Sequence, residues 1–184
     1  MLRVSLLRSG RQRFCSSEGF TLLDTIFVVA LIGLLSAIAV PTLLRSRTAA
    51  NETATIASLR MVHTGALSYA ISCGAGLWAA NFQALADPTG IGGFLPPDLT
   101  SVASPTKSGY TYTLQPGPQG LAAQADCNGN VVALDYYVTA VPVDYGNTGS
   151  RAFASNEGHV IWQDPTGVAP VEPFATAGTV APIQ

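Results

Sequence analysis

The amino-acid sequence predicts an α+β fold in which a long N-terminal α-helix packs on an antiparallel sheet of about four strands. Three observations predict it. One uninterrupted apolar run lies near the N-terminus, a helical stripe of apolar residues continues it, and the C-terminal half alternates β-branched and aromatic segments with Gly, Pro and Asn turns. The apolarity is therefore concentrated in one place rather than spread as in a uniform globular chain.

Residues 1–19 carry Arg3, Arg8, Arg11 and Arg13 against Glu18, a net charge of +3. Such a segment stays on the cytoplasmic side of a membrane. Residues 20–40 follow as FTLLDTIFVVALIGLLSAIAV, with Asp24 their single charge. At ~1.5 Å per helical residue this run spans roughly 31 Å, the thickness of a bilayer core. After Thr42 every apolar stretch is broken within a few positions, so one membrane span is expected, over residues 20–41. An ordinary secretory signal has a shorter apolar core. A lipoprotein reading of Cys15 fails because the apolar segment follows that cysteine instead of preceding it.

The helix continues over residues 42–73, where Leu44, Ile56, Leu59, Val62, Ala66, Leu67 and Ala70 form a stripe opposite Arg45, Arg47, Asn51, Glu52 and Arg60. One helix from about Thr21 to Ser72 is thus membrane-embedded in its first half and amphipathic in its second. Pro41 removes a backbone donor, and a kink or locally extended stretch between Gly33 and Pro41 is expected. Gly33 and Ala37 are spaced to let helix backbones approach closely. Residues 74–108, rich in Gly, Pro and Ala, read as a connecting loop with a short helical hint at 81–86.

Residues 109–163 hold the expected sheet, with strands at 109–114, 131–141, 151–155 and 159–163. Pro116-Gly117-Pro118 and Asn128-Gly129-Asn130 punctuate the first pair, and residues 155–158 make the turn of a closing hairpin. The tail, 164–184, reads as extended or mobile.

No constellation for catalysis is present. His63 and His159 are distant in sequence and lack a nucleophile motif, and there is no zinc spacing, phosphate loop or nucleophile elbow. Asp126 to Asn130 begins like a calcium loop, but the glycine expected after the third ligand position is Val131 and no glutamate closes the pattern. No enzyme, metal or cofactor is expected.

The order of parts, basic leader, then Gly19-Phe20-Thr21-Leu22-Leu23-Asp24, then the apolar helix, resembles the type IV pilin family. In that family a prepilin peptidase cuts after the glycine and methylates the new N-terminus. The resemblance implies Gly19 as the last leader residue and Phe20 as the N-methylated first residue. It also matches Gly33 and Pro41, which lie fourteen and twenty-two positions past Gly19. Where the family has glutamate at the fifth mature position, this chain has Asp24, one methylene shorter. An ionised carboxylate in an apolar layer needs a partner, and the amine of Phe20, on the same chain or a neighbour, is the cation at that depth. The alternative is a charge that snorkels to the headgroups.

The resemblance implies a pilin fold, a single-pass location in the inner (cytoplasmic) membrane with the head outside, and assembly into a pilus or pseudopilus. Its partners would be prepilin peptidase, the inner-membrane assembly machinery, and further copies or other pilin-like subunits. Without the leader, five basic residues face ten acidic ones, and no nucleic acid is expected as a partner. An envelope location favours a Cys73 to Cys127 disulfide, closing a loop of about 55 residues and contributing roughly 4 kcal/mol; two free buried thiols are the alternative. Two other functional readings stand beside the pilus subunit. One is a type II secretion pseudopilin, although the Asp-Pro-Trp-Gly stretch of its major forms is missing. The other is a membrane-tethered binding module using the 74–108 loop or the strand around Tyr136 and Tyr137.

Overall fold

The structure is a computed structural model that describes residues 20–86, 93–176 and 178–183. It divides into two units, with the boundary after Pro41. One helix, α1 (Leu22–Ser72), belongs to both. The described part of the first unit is helix preceded by Phe20 and Thr21, and every residue from 20 to 47 is exposed.

Leucine, isoleucine and alanine dominate this part of α1 and favour helix, while Pro41 costs one rung of the ladder. The helix nonetheless runs unbroken through Gly33 and Pro41, so the expected locally extended stretch between them is not formed. The turns on either side keep their own bonds and carry the helix across the missing donor. It ends where the backbone N–H groups of Cys73 and Gly74 both reach the Tyr69 carbonyl at 2.8 Å and Ala75 turns left-handed.

In the second unit α1 buries Glu52, Thr55, Ser58, Leu59, Val62, His63, Gly65, Ala66, Tyr69 and Ala70. This repeat of three and four residues is the expected stripe with two corrections. Leu44 and Leu67 are exposed, and Glu52, expected on the polar face, is buried. Gly65 permits a close approach, since a Cβ there would lie 2.6 Å from the Phe94 carbonyl oxygen.

The strands are β1 (Trp78–Ala79), β2 (Thr106–Lys107), β3 (Tyr110–Pro116), β4 (Leu121–Ala125), β5 (Val131–Ala133), β6 (Tyr136–Pro142), β7 (Ala152–Asn156), β8 (Trp162–Asp164) and β9 (Ala181–Pro182). A 3-10 turn (Phe82–Leu85) and a short helix, α2 (Pro97–Thr100), lie between β1 and β2. The strands form two antiparallel sheets, a three-stranded one in the order β1-β5-β4 and a six-stranded one in the order β2-β3-β6-β7-β8-β9. A single sheet of about four strands was expected.

The physical reason lies in residues 131–141. They are one apolar run in sequence, but Leu134 and Asp135 interrupt the strand, sending β5 to one sheet and β6 to the other. The expected strand at 159–163 begins later, because His159 has a positive φ of 59° that strand geometry excludes. The 74–108 segment contributes β1 and β2, and the tail contributes β9, which pairs with β8.

Alternation sets the core. Tyr110, Tyr112 and Leu114 of β3 and Tyr136, Val138 and Ala140 of β6 point inward and pack with Leu59, Val62, Ala66 and Tyr69 of α1. Three sets of ties hold the helix to the two sheets and their loops. Near residue 52, the Glu52 carboxylate accepts Arg151 Nε at 2.9 Å and Nη2 at 2.5 Å, together with Ser150 N at 2.9 Å and Ser150 Oγ at 2.7 Å. Burial pushes the Glu52 carboxyl up, but the bonds from Arg151 and Ser150 outweigh it and hold the group below its ordinary value. Arg151 also donates Nη1 to Gln163 Oε1 at 2.6 Å and lies over the Phe153 ring.

About three turns further along, His63 Nε2 is 2.9 Å from Ser155 Oγ, which itself donates to the Val160 carbonyl at 2.7 Å. The hydroxyl proton is thereby used, so His63 donates from Nε2 and is neutral at Nδ1. Its ring stacks on His159 at 5.0 Å. The two histidines that are distant in sequence are neighbours in space.

At the end of α1, Cys73 and Cys127 are disulfide-bonded, with Cα atoms 4.9 Å apart. Tyr69 donates to Asp126 Oδ2 at 2.7 Å. The other bonds to Asp126 come from Asn128 N, Asn130 N and Asn130 Nδ2, at 2.8, 2.7 and 3.1 Å. The sequence that starts like a calcium loop therefore spends its carboxylate on its own turn and on α1. Burial raises the Asp126 pKa, and these four donors outweigh it, leaving the group below its usual value.

Three outcomes are expected from these ties. Glu52→Gln leaves Arg151 without its carboxylate and should cost about 2–3 kcal/mol, read as a lower urea midpoint with unchanged slope. Replacing both Cys73 and Cys127 by Ala should cost about 4 kcal/mol in the same measurement. Burial, with the His159 and Arg60 charges, pushes His63 down to about 4 from 6.5. The folded state thus resists protonation there, and the contribution is complete above pH 6.5 and lost as pH falls from 6.5 toward 4. Urea midpoints between pH 7 and 5 should fall more steeply for the wild type than for His63→Gln; parallel profiles would remove His63 as the cause.

Candidate functional site

The chain offers no described constellation of catalytic groups, and among the described residues no three His, Cys, Asp or Glu side chains converge as metal ligands would. What stands out is the uncovered start of α1. Among the described residues this is the one helix long and apolar enough to cross a membrane, and none of its apolar window is buried. Leu22, Leu23, Ile26, Phe27, Val29, Ile32, Leu34, Leu35 and Ile38 are all more than half exposed. Apolar side chains point outward all round the helix, which is the pattern of a segment solvated by lipid or by other helices and not of an amphipathic helix on a core. The chain thus carries a long apolar N-terminal helix compatible with a membrane anchor.

The first turn is built by its own side chains. Asp24 Oδ2 accepts Thr21 N at 3.0 Å and Thr21 Oγ1 at 2.7 Å, while Thr21 Oγ1 accepts Asp24 N at 3.3 Å. This is a reciprocal capping box, Thr21 at the N-cap and Asp24 three residues on. It satisfies two backbone donors that water or a ligand would otherwise have to satisfy. The side chain of aspartate is short enough to fold back within one turn. Thr-x-x-Asp before an apolar run is a readable capping signal, and it assigns Asp24 a local role beside any role in pairing with an amine.

The other expected site residues fall as follows. Gly19 and the leader lie outside the described residues. Phe20 is the first described residue and is 82% exposed, one helical turn from Asp24. Gly33 faces open space, with nothing within 4 Å of where a Cβ would sit. Pro41 is inside the helix at the boundary between the units. Cys73 and Cys127 are brought together in the head. Phe20, Asp24, Gly33 and Pro41 are laid out along one rod and do not converge on a point.

Sequence reasoning passed over Glu52 and Arg151, whose pairing is invisible because they lie 99 positions apart. It also passed over Asp135, which reads as one polar residue inside an apolar strand. Comparison of the chain with protein-family models, with curated proteins and with solved structures finds no match.

Proposed function

We propose that this chain is a structural subunit of a type IV pilus or pilus-like filament. In this reading prepilin peptidase cuts after Gly19, Phe20 becomes the methylated N-terminus, and residues 20–41 hold the subunit in the cytoplasmic membrane before packing into a filament core. The observation that carries the reading is the apolar start of α1, exposed on all sides yet continuous with a helix whose second half is built into the head. A detachable anchor needs no such continuity. A filament subunit does, because the rod must transmit the position of the core helix to the head that coats it.

Asp24 has two tasks in this proposal. Its Oδ2 closes the capping box, and among the described residues its Oδ1 accepts no hydrogen bond, leaving a charged oxygen at the helix start for the amine of Phe20 on the same chain or a neighbour. Gly33, open on its outer side, is a place where a second helix backbone would approach closely. The ties at Glu52, His63 and Cys73 fix the head to the second half of α1.

The test separates the tasks of Asp24. Intact mass and N-terminal sequence of protein from membranes and sheared surface material should give a chain starting at N-methylated Phe20. Asp24→Asn keeps a cap acceptor and removes the charge; it should be processed normally yet be reduced at least tenfold in filaments, whereas Asp24→Glu should assemble. A mature chain that begins at Met1, or filaments with wild-type amounts of Asp24→Asn, would overturn the proposal.

A further inference from the structure

The head contains a groove of about 420 Å³ whose walls come from four separate stretches of chain. Pro118 belongs to the turn before β4, Asp135 to the break between β5 and β6, Glu157 to the β7-β8 turn, Trp162 to β8, and Glu172 and Phe174 to the segment before β9. Three carboxylates therefore line it, and no Lys, Arg or His does.

Asp135 is the unusual one. It is 3% exposed, its Oδ2 accepts Gln119 N at 3.0 Å, and its Oδ1 is buried without any hydrogen-bond partner. The neighbouring loop is shaped to admit it. Gly117 donates its N–H to the Asp135 carbonyl at 3.2 Å, and a Cβ at position 117 would lie 2.6 Å from the Asp135 carboxyl carbon. An orphaned carboxylate oxygen costs several kcal/mol, and a fold that makes room for one leaves it for a donor from outside. Glu172 is fixed by Asn156 Nδ2 at 2.6 Å. Burial holds its carboxyl above the usual range despite that bond, and the Glu157 and Asp135 charges push it the same way.

The remaining wall is aromatic. Trp162 and Phe174 stack with centroids 5.5 Å apart and planes 19° from parallel. Negative ring faces beside unneutralised carboxylates attract a cation, and aromatic surface favours a weakly hydrated organic cation over a small, strongly hydrated metal ion. The absence of convergent metal-ligand geometry among the described residues agrees. A volume of this size is that of a small-ligand or side-chain site.

We propose that this groove is a binding site for a guanidinium or alkylammonium group, with Asp135 and Glu172 accepting its N–H donors and the Trp162-Phe174 stack covering its flat or methylene face. The site is independent of what the N-terminal helix does. The cation can belong to a free solute or to an Arg or Lys side chain of another protein, including the exposed Arg45 or Arg47 of a second copy.

Isothermal titration of the full chain in dodecyl maltoside micelles tests the site, using Nα-acetylated argininamide and its neutral isostere, Nα-acetylated citrullinamide, as probes. Argininamide should bind saturably at one site and citrullinamide at least tenfold more weakly. Asp135→Asn, which preserves the acceptor for Gln119 N, and Glu172→Gln, on a half-buried loop, should each weaken argininamide tenfold or more with unchanged far-ultraviolet circular dichroism. An Ala-Arg-Ala-Ala amide peptide that binds more tightly than argininamide would mark a protein side chain as the source of the cation; one that binds more weakly would mark a free solute. No saturable heat from either cation, or equal affinity in wild type and Glu172→Gln, overturns the proposal.

Discussion

Glu52 sits on the inward face of a helix, and a carboxylate in that position must either find donors or disrupt the packing around it. It finds four, two from Arg151 and two from Ser150. Because those donors lie where β7 begins, the bond fixes both the rotation of α1 and its height against the six-stranded sheet. Asn51 adds a bond to the Thr148 carbonyl at 2.9 Å on the same loop. Everything above depends on that registration. His63 meets Ser155 about three turns on, and Tyr69 meets Asp126 beyond it, only if the helix enters at the right angle. The apolar contacts of Leu59, Val62 and Ala66 would tolerate a small slide; directional bonds to charged groups do not.

The disulfide closes the far end of the same arrangement. Cys73 is the first residue after α1, and Cys127 follows Asp126, whose carboxylate is held by Tyr69 on that helix. The Cys127 N–H also donates to the Cys73 carbonyl at 3.0 Å. Covalent and polar links therefore fasten the three-stranded sheet to the helix end, just as Glu52 fastens the larger sheet nearer its middle. The second half of α1 is fastened along its length, whereas the large apolar side chains described over residues 20–41 are exposed.

The groove around Asp135 comes from the same break that divides the sheets. A continuous strand over 131–141 would have directed side chains to alternate faces and kept an aspartate either in solvent or in an untenable core position. Interrupting the strand lets Asp135 turn beneath Gly117 and reach the groove wall, and it lets β6 take its place beside β3. Topology and the candidate cation site thus have one local cause.

Long-range order is where sequence and structure part. An apolar run of membrane-spanning length, a helical stripe behind it and two cysteines outside it are one-dimensional signals, so the helix ends, its exposed apolar first half, the Cys73 to Cys127 pair and the presence of antiparallel strands could be read directly. The Thr21-Asp24 box was also present as a local motif. What only the tertiary structure decided are the features whose partners are distant: the burial of Glu52 by Arg151, the stacking of His63 on His159, the allotment of β5 and β6 to different sheets, and the convergence of Asp135, Glu172 and Trp162 on one groove. Periodicity reports which face of an element is apolar; it carries no information about which charged residue, a hundred positions away, will neutralise the exception on that face.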